Sequence, residues 1–267
     1  MATATQTDSY ARDGFARSDG PVLPPDVVAA GVAGMDAVRR GEYDTGQPPP
    51  PSPWNPGDDE SVLCKIELAN AASRQLQDVL AHPALGTFVG EATGARAVQV
   101  WWVQLLVKPP AQSANSATAV GWHQDYMYWQ DYWKGPDGLL TAWIALSDVT
   151  ADAGPMSFVP GSHRWGFRDE GDFFGQDNDA LRDGIAVPEG ETWTEVPAVL
   201  PPGGVSLHHS LTFHGSGRNT SGRLRRSLAV HLRTDEAVPN GEPRGLTTHL
   251  HHPALNPVIH GDPADLR

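Results

Sequence analysis

The segment R-R-S-L-A-V-H-L-R (225–233) leaves little freedom in how it can fold. Its period is two. Leu228, Val230 and Leu232 take one face of an extended chain, and Arg225, Ser227, Ala229 and His231 take the other. A second run, A-V-Q-V-W-W-V-Q-L-L-V-K (97–108), is β-branched and aromatic and stops at Pro109-Pro110. Further strands are expected at 139–147, 155–159 and 204–208. The 28 glycines and 24 prolines are spread along the chain, as many turns between short strands require. Upstream the period changes. Residues 25–40 read as a helix, with Pro25 in the first turn and Arg39-Arg40 at the end. Helices are also expected at 67–82 and 84–92. Gln47 to Trp54, Q-P-P-P-P-S-P-W, reads as an extended polyproline loop and a surface spacer. The pattern predicts a mainly β fold with flanking helices, a sandwich or jelly roll with its helices packed outside. One domain over 1–267 is expected. It has a helical region at about 20–95, a jelly-roll core at about 97–234 and a tail, 235–267, that wraps the barrel.

Charge narrows the partners. The 267 residues carry a net charge of −13 with only 19 Lys and Arg, and no basic stripe is visible. Nucleic acid and anionic lipid surfaces are therefore not expected partners. No apolar run approaches the ~18 residues of a membrane span. The opening M-A-T-A-T-Q-T-D-S-Y has neither a basic start nor an apolar stretch, so no signal peptide is expected. Cys64 is the single cysteine and cannot form an internal disulfide, which fits a cytoplasmic location. Without secretion, the sequon Asn219-Thr220-Ser221 has no consequence.

Polar chemistry concentrates in G-W-H-Q-D-Y-M-Y-W-Q-D-Y-W (121–133). On a strand, His123 and Asp125 leave one face and Gln124 the other. This is either a hydrogen-bonded pair or two members of a metal site. Two histidines and one carboxylate with open positions are diagnostic of non-haem Fe(II) oxygenases, so the third ligand should be a distant histidine. His214, at a strand end before Gly215-Ser216-Gly217, meets that need. Arg225 follows eleven residues later. If G-S-G-R-N-T-S-G forms a hairpin turn, Arg225 returns to the cavity of His214. Its planar fork can clamp a carboxylate, with Ser216 as a further donor.

H-Q-D, P-G-S-H (160–163) and H-G-S-G-x-N-x-x-x-x-x-R, in that order, resemble the phytanoyl-CoA dioxygenase (PhyH)-like family of Fe(II)/2-oxoglutarate-dependent oxygenases, over residues 65–234. The resemblance implies a double-stranded β-helix (jelly roll, cupin-like) core. It implies iron on His123, Asp125 and His214, with 2-oxoglutarate as cosubstrate and O2 as oxidant. Arg225 and Ser216 would take the distal carboxylate, beside Trp143, Gln104 and Lys65. The three remaining metal positions would serve the cosubstrate's keto oxygen, its C1 carboxylate and O2. Halogenating relatives lack the carboxylate ligand, and Asp125 is present.

The other histidines are read as structural. His208, His209 and His163 are packed or hydrogen-bonded, and His249, His251 and His252 are an incidental cluster. Arg226 should face away from Arg225, and Gln124 should brace a loop. Six of nine tryptophans lie between 101 and 143. Residues 126–138 read as a loop leaving the metal site. Its Tyr126, Tyr128, Trp129, Asp131 and Trp133 would form a substrate wall able to stack on a sugar, polyketide or aromatic ring. The acidic balance disfavours a CoA thioester. It favours a neutral or cationic specialised metabolite of the antibiotic-biosynthesis type, glycosylated or polyhydroxylated, processed by hydroxylation or oxidative ring closure. The alternatives are a cupin-like metalloenzyme that does not use 2-oxoglutarate, for which Arg225 and Ser216 have no task, and a non-catalytic sugar-binding jelly roll. The sequence does not fix an oligomeric state.

Overall fold

A computed structural model describes residues 4–113 and 116–266. Met1–Thr3, at the start of the stretch read as lacking a leader, lie outside them. The helices are α1 (Ala4–Asp13), α2 (Pro25–Arg39), α3 (Arg74–Leu80), α4 (Pro83–Thr93), α5 (Tyr126–Trp129) and α6 (Asn178–Gly184). The strands are β1 (Phe15–Arg17), β2 (Cys64–Glu67), β3 (Ala97–Lys108), β4 (Val120–His123), β5 (Leu139–Ala145), β6 (Met156–Phe158), β7 (Val196–Pro197), β8 (Val205–His209), β9 (His214–Ser216), β10 (Arg225–Thr234) and β11 (Val258–Gly261). The five strands expected from periodicity are β3, β5, β6, β8 and β10.

Two antiparallel sheets face each other. The larger runs β1-β8-β5-β10-β3-β11, with β2 also on β3, and the smaller runs β4-β9-β6-β7. This is a double-stranded β-helix with its helices outside. The main apolar core lies outside the barrel, between the large sheet and the helices. Leu228, Val230 and Leu232 of β10 pack there with Met35 and Val38 of α2, Leu76 and Val79 of α3 and Phe88 of α4. Each such side chain contributes roughly 1.5–3 kcal/mol by leaving water. A smaller apolar layer, with Phe15, Leu106, Trp143 and Phe158, fills part of the space between the sheets.

Local detail departs from the expected pattern at three places. The helix expected at 67–82 begins only at Arg74. Lys65 and Glu67 belong instead to β2, where Glu67 stands opposite Gln104. Leu68 then turns the chain through a left-handed conformation (φ 46°), and the Ser73 hydroxyl caps the new helix by accepting from Leu76 N. β3 is irregular at Trp101 and Trp102. His231 pairs with Trp102 and Leu232 with Val100, so Trp101 is an extra, bulged residue, and its ring lies against Trp129, Trp133 and His231. The tail ends in β11 on the edge of β3. It crosses α4 so closely that a Cβ on Gly86 would sit 1.7 Å from Ile259 O, and only glycine permits that approach. Among the described residues no helix is long and apolar enough to cross a membrane.

Candidate active site

His123 ends β4 and stands directly opposite His214, which opens β9. Asp125 lies just past the strand, at the entry to α5, with helical backbone angles. The ligand atoms of these three buried residues all lie within 4.8 Å of one another, and they form the metal-binding group found among the described residues. His123 Nε2 is 3.6 Å and His214 Nε2 3.7 Å from Asp125 Oδ1. The Nδ1 atoms face backbone carbonyls, Gly121 O at 2.8 Å and Thr212 O at 2.9 Å. A carbonyl can only accept, so Nδ1 carries a proton and Nε2 is the ring nitrogen turned toward Asp125. Burial, helped by the neighbouring His208 and His123, holds His214 well below the usual histidine range and so neutral. Burial opposes the charge of Asp125, but the surrounding histidines outweigh it and keep the carboxyl well below its usual range. Two imidazole nitrogens and one carboxylate oxygen therefore converge, a donor set that suits Fe(II) with open positions.

Asp125 is itself held. Its Oδ2 accepts from the Thr141 hydroxyl at 2.7 Å and faces His208 Nε2 at 3.2 Å. Thr141 in turn accepts from His231 Nδ1 at 2.8 Å. His208, Thr141 and His231 form one row across three paired strands. Gln124 points away from the triad, as expected. Its amide donates to Leu211 O (2.7 Å) and Gly166 O (3.1 Å) and accepts from Arg168 N (2.8 Å).

At the other end of β10 the guanidinium of Arg225 is buried. Its Nη1 donates to Gly154 O, its carbon lies 5.1 Å from the Trp143 ring centroid, and its Nε has no protein partner. Burial pushes its pKa down to about 9. Arg226 takes the opposite face and forks onto Asp36 with two 3.1 Å contacts, so the strand register matches the expectation. Ser216 Oγ accepts from Lys108 Nζ at 2.6 Å.

Gln104 and Lys65 line a cavity of ≈ 260 Å³ that reaches Asp125. Tyr128 and Trp129 are on its wall, joined by Trp102, Phe173, Phe174 and His231. Lys65 pairs with Glu67 at 2.8 Å and sits 4.5 Å from the Phe173 ring centroid. Phe173 also approaches the His123 ring, at 5.2 Å. Three expected wall residues lie elsewhere. Trp133 is buried in a cluster with Trp101, Leu139 and Leu250 of the tail. Tyr126 packs edge-on against Phe167. Asp131 is exposed, and its backbone carbonyl is engaged by Asn240 and Arg244. The segment 126–138 is thus a short helix and a turn pinned to the tail, with two of its rings turned to the cavity.

Sequence reasoning missed His208, Thr141, His231, Lys108, Phe173 and Phe174. Inward alternation from Gln104 would have found Lys108, and two adjacent phenylalanines in the polar run E-G-D-F-F-G-Q-D were a signal for the wall. His209 accepts from Leu211 N and faces His163, as structural histidines do.

The family model described as phytanoyl-CoA dioxygenase (PhyH) matches residues 10–227. A probable alpha-ketoglutarate-dependent hypophosphite dioxygenase of Stutzerimonas stutzeri is 32% identical over 173 residues, covering 62% of this chain and 52% of that protein. The chain spans about half the length of curated relatives it matches. Among solved structures, the alpha-ketoglutarate-dependent carbocyclase SnoK from nogalamycin biosynthesis superimposes with a TM-score of 0.66 at 25% identity, over 89% of this chain and 86% of that one. The epimerase SnoN, solved with Fe3+, alpha-ketoglutarate and nogalamycin RO, gives a TM-score of 0.68 at 23% identity, over 88% and 84%.

Proposed function

The chain belongs to the phytanoyl-CoA dioxygenase (PhyH) family, and on that premise we propose that it is a non-haem Fe(II)/2-oxoglutarate-dependent oxygenase of a small specialised metabolite. One observation carries the reading. Two opposed histidines and a carboxylate meet in a barrel that also buries an arginine without an acidic partner among the described residues.

His123, Asp125 and His214 would hold the iron. When bound, iron with 2-oxoglutarate and O2 supplies an oxidant that removes hydrogen from a substrate, while the cosubstrate leaves as succinate and CO2. The remaining work belongs to the chain. The carbonyl bonds at Nδ1 keep both histidine lone pairs aimed inward. Thr141 and His208 occupy one oxygen of Asp125 and leave the other free. Arg225 would clamp the distal carboxylate of 2-oxoglutarate, with its plane fixed against Trp143 and with Ser216 as a second donor. Water is excluded there, so each charge-assisted bond is strong, roughly 1.5–3 kcal/mol. Gln104 and Lys65 would contact the cosubstrate from the cavity side.

The cavity wall supports a ring-bearing substrate. It is largely aromatic, and its one lysine, Lys65, is paired with Glu67, which leaves little to attract a phosphate group of the substrate. With the net charge of −13 this favours a neutral or cationic metabolite, glycosylated or polyhydroxylated, of the antibiotic-biosynthesis type. Hydroxylation and oxidative ring closure are both open to such a site. The protein would act on its small molecule in the cytoplasm.

Anaerobic Fe(II) with 2-oxoglutarate should give a weak visible charge-transfer band. Asp125→Ala and His214→Ala should abolish it, and retention of the band at wild-type affinity would overturn the iron assignment. Succinate release, coupled to a panel of glycosylated polyketides, would then identify the substrate.

A further inference from the structure

β3 ends on Lys108, which pairs directly across from Arg225. Both side chains are buried, and they are like charges. A buried cation is costly unless something compensates it, and two side by side repel. Burial and the charge of Arg225 both push the Lys108 pKa down, and among the described residues no acidic group pairs with either side chain, so a bound anion is what would favour the protonated ammonium. This end of the barrel therefore calls for an anion.

The contacts of Lys108 say how that anion is met. Its ammonium donates to Ser216 Oγ at 2.6 Å, Gly217 O at 2.6 Å and Ser216 O at 3.3 Å. The Asn219 amide grips the Lys108 carbonyl at 3.0 Å and Arg223 O at 2.7 Å, which ties the strand end to the β9–β10 turn. A hydroxyl has one hydrogen and two acceptor sites, and an ammonium can only donate. With Lys108 held protonated by a bound anion, Ser216 Oγ accepts from it and sends its own hydrogen elsewhere. No group among the described residues is recorded as taking that hydrogen.

We propose that Lys108 is a positioning residue for the cosubstrate. It makes the Ser216 hydroxyl an obligate donor to the distal carboxylate of 2-oxoglutarate, and it adds a second positive charge beside Arg225. This rests on the oxygenase reading above. Its consequence is selectivity: Lys108 strengthens binding of keto acids that carry a distal carboxylate and does nothing for those that lack one.

The test titrates the Fe(II)-loaded full chain anaerobically with 2-oxoglutarate and with pyruvate, which has the same keto-acid head and no distal carboxylate. The charge-transfer band reads affinity. Lys108→Met should weaken 2-oxoglutarate binding about 30-fold, as expected for a hydrogen bond to a charged group, and leave pyruvate unchanged. In that background Ser216→Ala should add little, because the hydroxyl is no longer oriented. A merely structural role would lower the melting temperature and weaken both keto acids alike. Equal losses, or an unchanged 2-oxoglutarate affinity, overturn the proposal. If the methionine variant does not fold, Lys108→Arg keeps the charge but not the single short bond to Ser216. A selective loss for 2-oxoglutarate then supports the proposal, and wild-type affinity for both overturns it. A wild-type protein that shows no band with either keto acid sinks the oxygenase reading and this proposal together. A wild-type band with an indifferent Lys108 sinks this proposal alone.

Discussion

The two faces of β10 are neighbours by one residue and opposites in chemistry. The outer face, Leu228, Val230 and Leu232, is taken up by the helices and carries the main apolar core. The inner face, Arg225, Ser227, Ala229 and His231, lines the barrel, where Ala229 joins the smaller apolar layer and Arg225 and His231 meet tryptophan rings. Arg226 and Arg225 show the contrast in one pair: the first has Asp36 at 3.1 Å, while the second is buried without an acid. Stability sits outside the barrel and chemistry inside it. The Arg225 charge can be buried there because the larger apolar core lies on the other face of the strand.

This division can be broken by experiment. Arg225→Ala should weaken 2-oxoglutarate about 100-fold by the charge-transfer titration, because it removes a desolvated clamp, whereas Arg226→Ala should stay within about twofold. A reversed result would put the wrong face inside. Leu228→Ala should cost about 2–4 kcal/mol in denaturant unfolding and leave cosubstrate affinity intact. If affinity fell with stability, the two faces would not be separable.

A milder test is pH. Burial pushes His209 down to about 4. As the pH falls, the unfolded chain takes up the proton first, so stability present above about pH 6.5 is lost on acidification. His209 alone should account for a loss of roughly 1.5 kcal/mol between about pH 6.5 and 5. The buried His231, also pushed down to about 4, adds its own share, so His209→Gln should lessen the slope in urea titrations by about the His209 amount. The smallest contrast lies at the cavity. Phe173→Ala should raise substrate KM roughly tenfold through lost ring contact. Asp131→Ala should leave KM unchanged, and a rise would return that residue to the wall.

Short-range pattern explains what the sequence made legible. Strict alternation fixed β10 and so the inward direction of Arg225. His123 and Asp125 are two residues apart, and His214 precedes a turn that returns Arg225 to the same barrel. What escaped depends on pairing between distant strands. His208 and His231 reach the site only because β8, β5 and β10 place them in one row with Thr141. Lys108 looks like an ordinary strand-end lysine until its partner across the ladder is known. The tryptophans of 126–138 were visible as a cluster, but direction was not. Trp133 is buried because the tail comes back to cover it, and nothing local announces a contact with Leu250.

Gln124, the middle residue of H-Q-D, ties β4 to Leu211 on one side and to Gly166 and Arg168 on the other. The segment it grips runs on to Phe173, whose backbone N–H reaches the Tyr128 hydroxyl at 3.0 Å. One amide thus acts as the fixed end of a ruler between the His–Asp–His triad and the aromatic wall of the cavity. The few residues from Arg168 to Phe173 set its length. Lengthening or shortening that span would change which bond of a bound molecule comes within reach, so regiochemistry can drift in such a fold while every metal ligand stays the same.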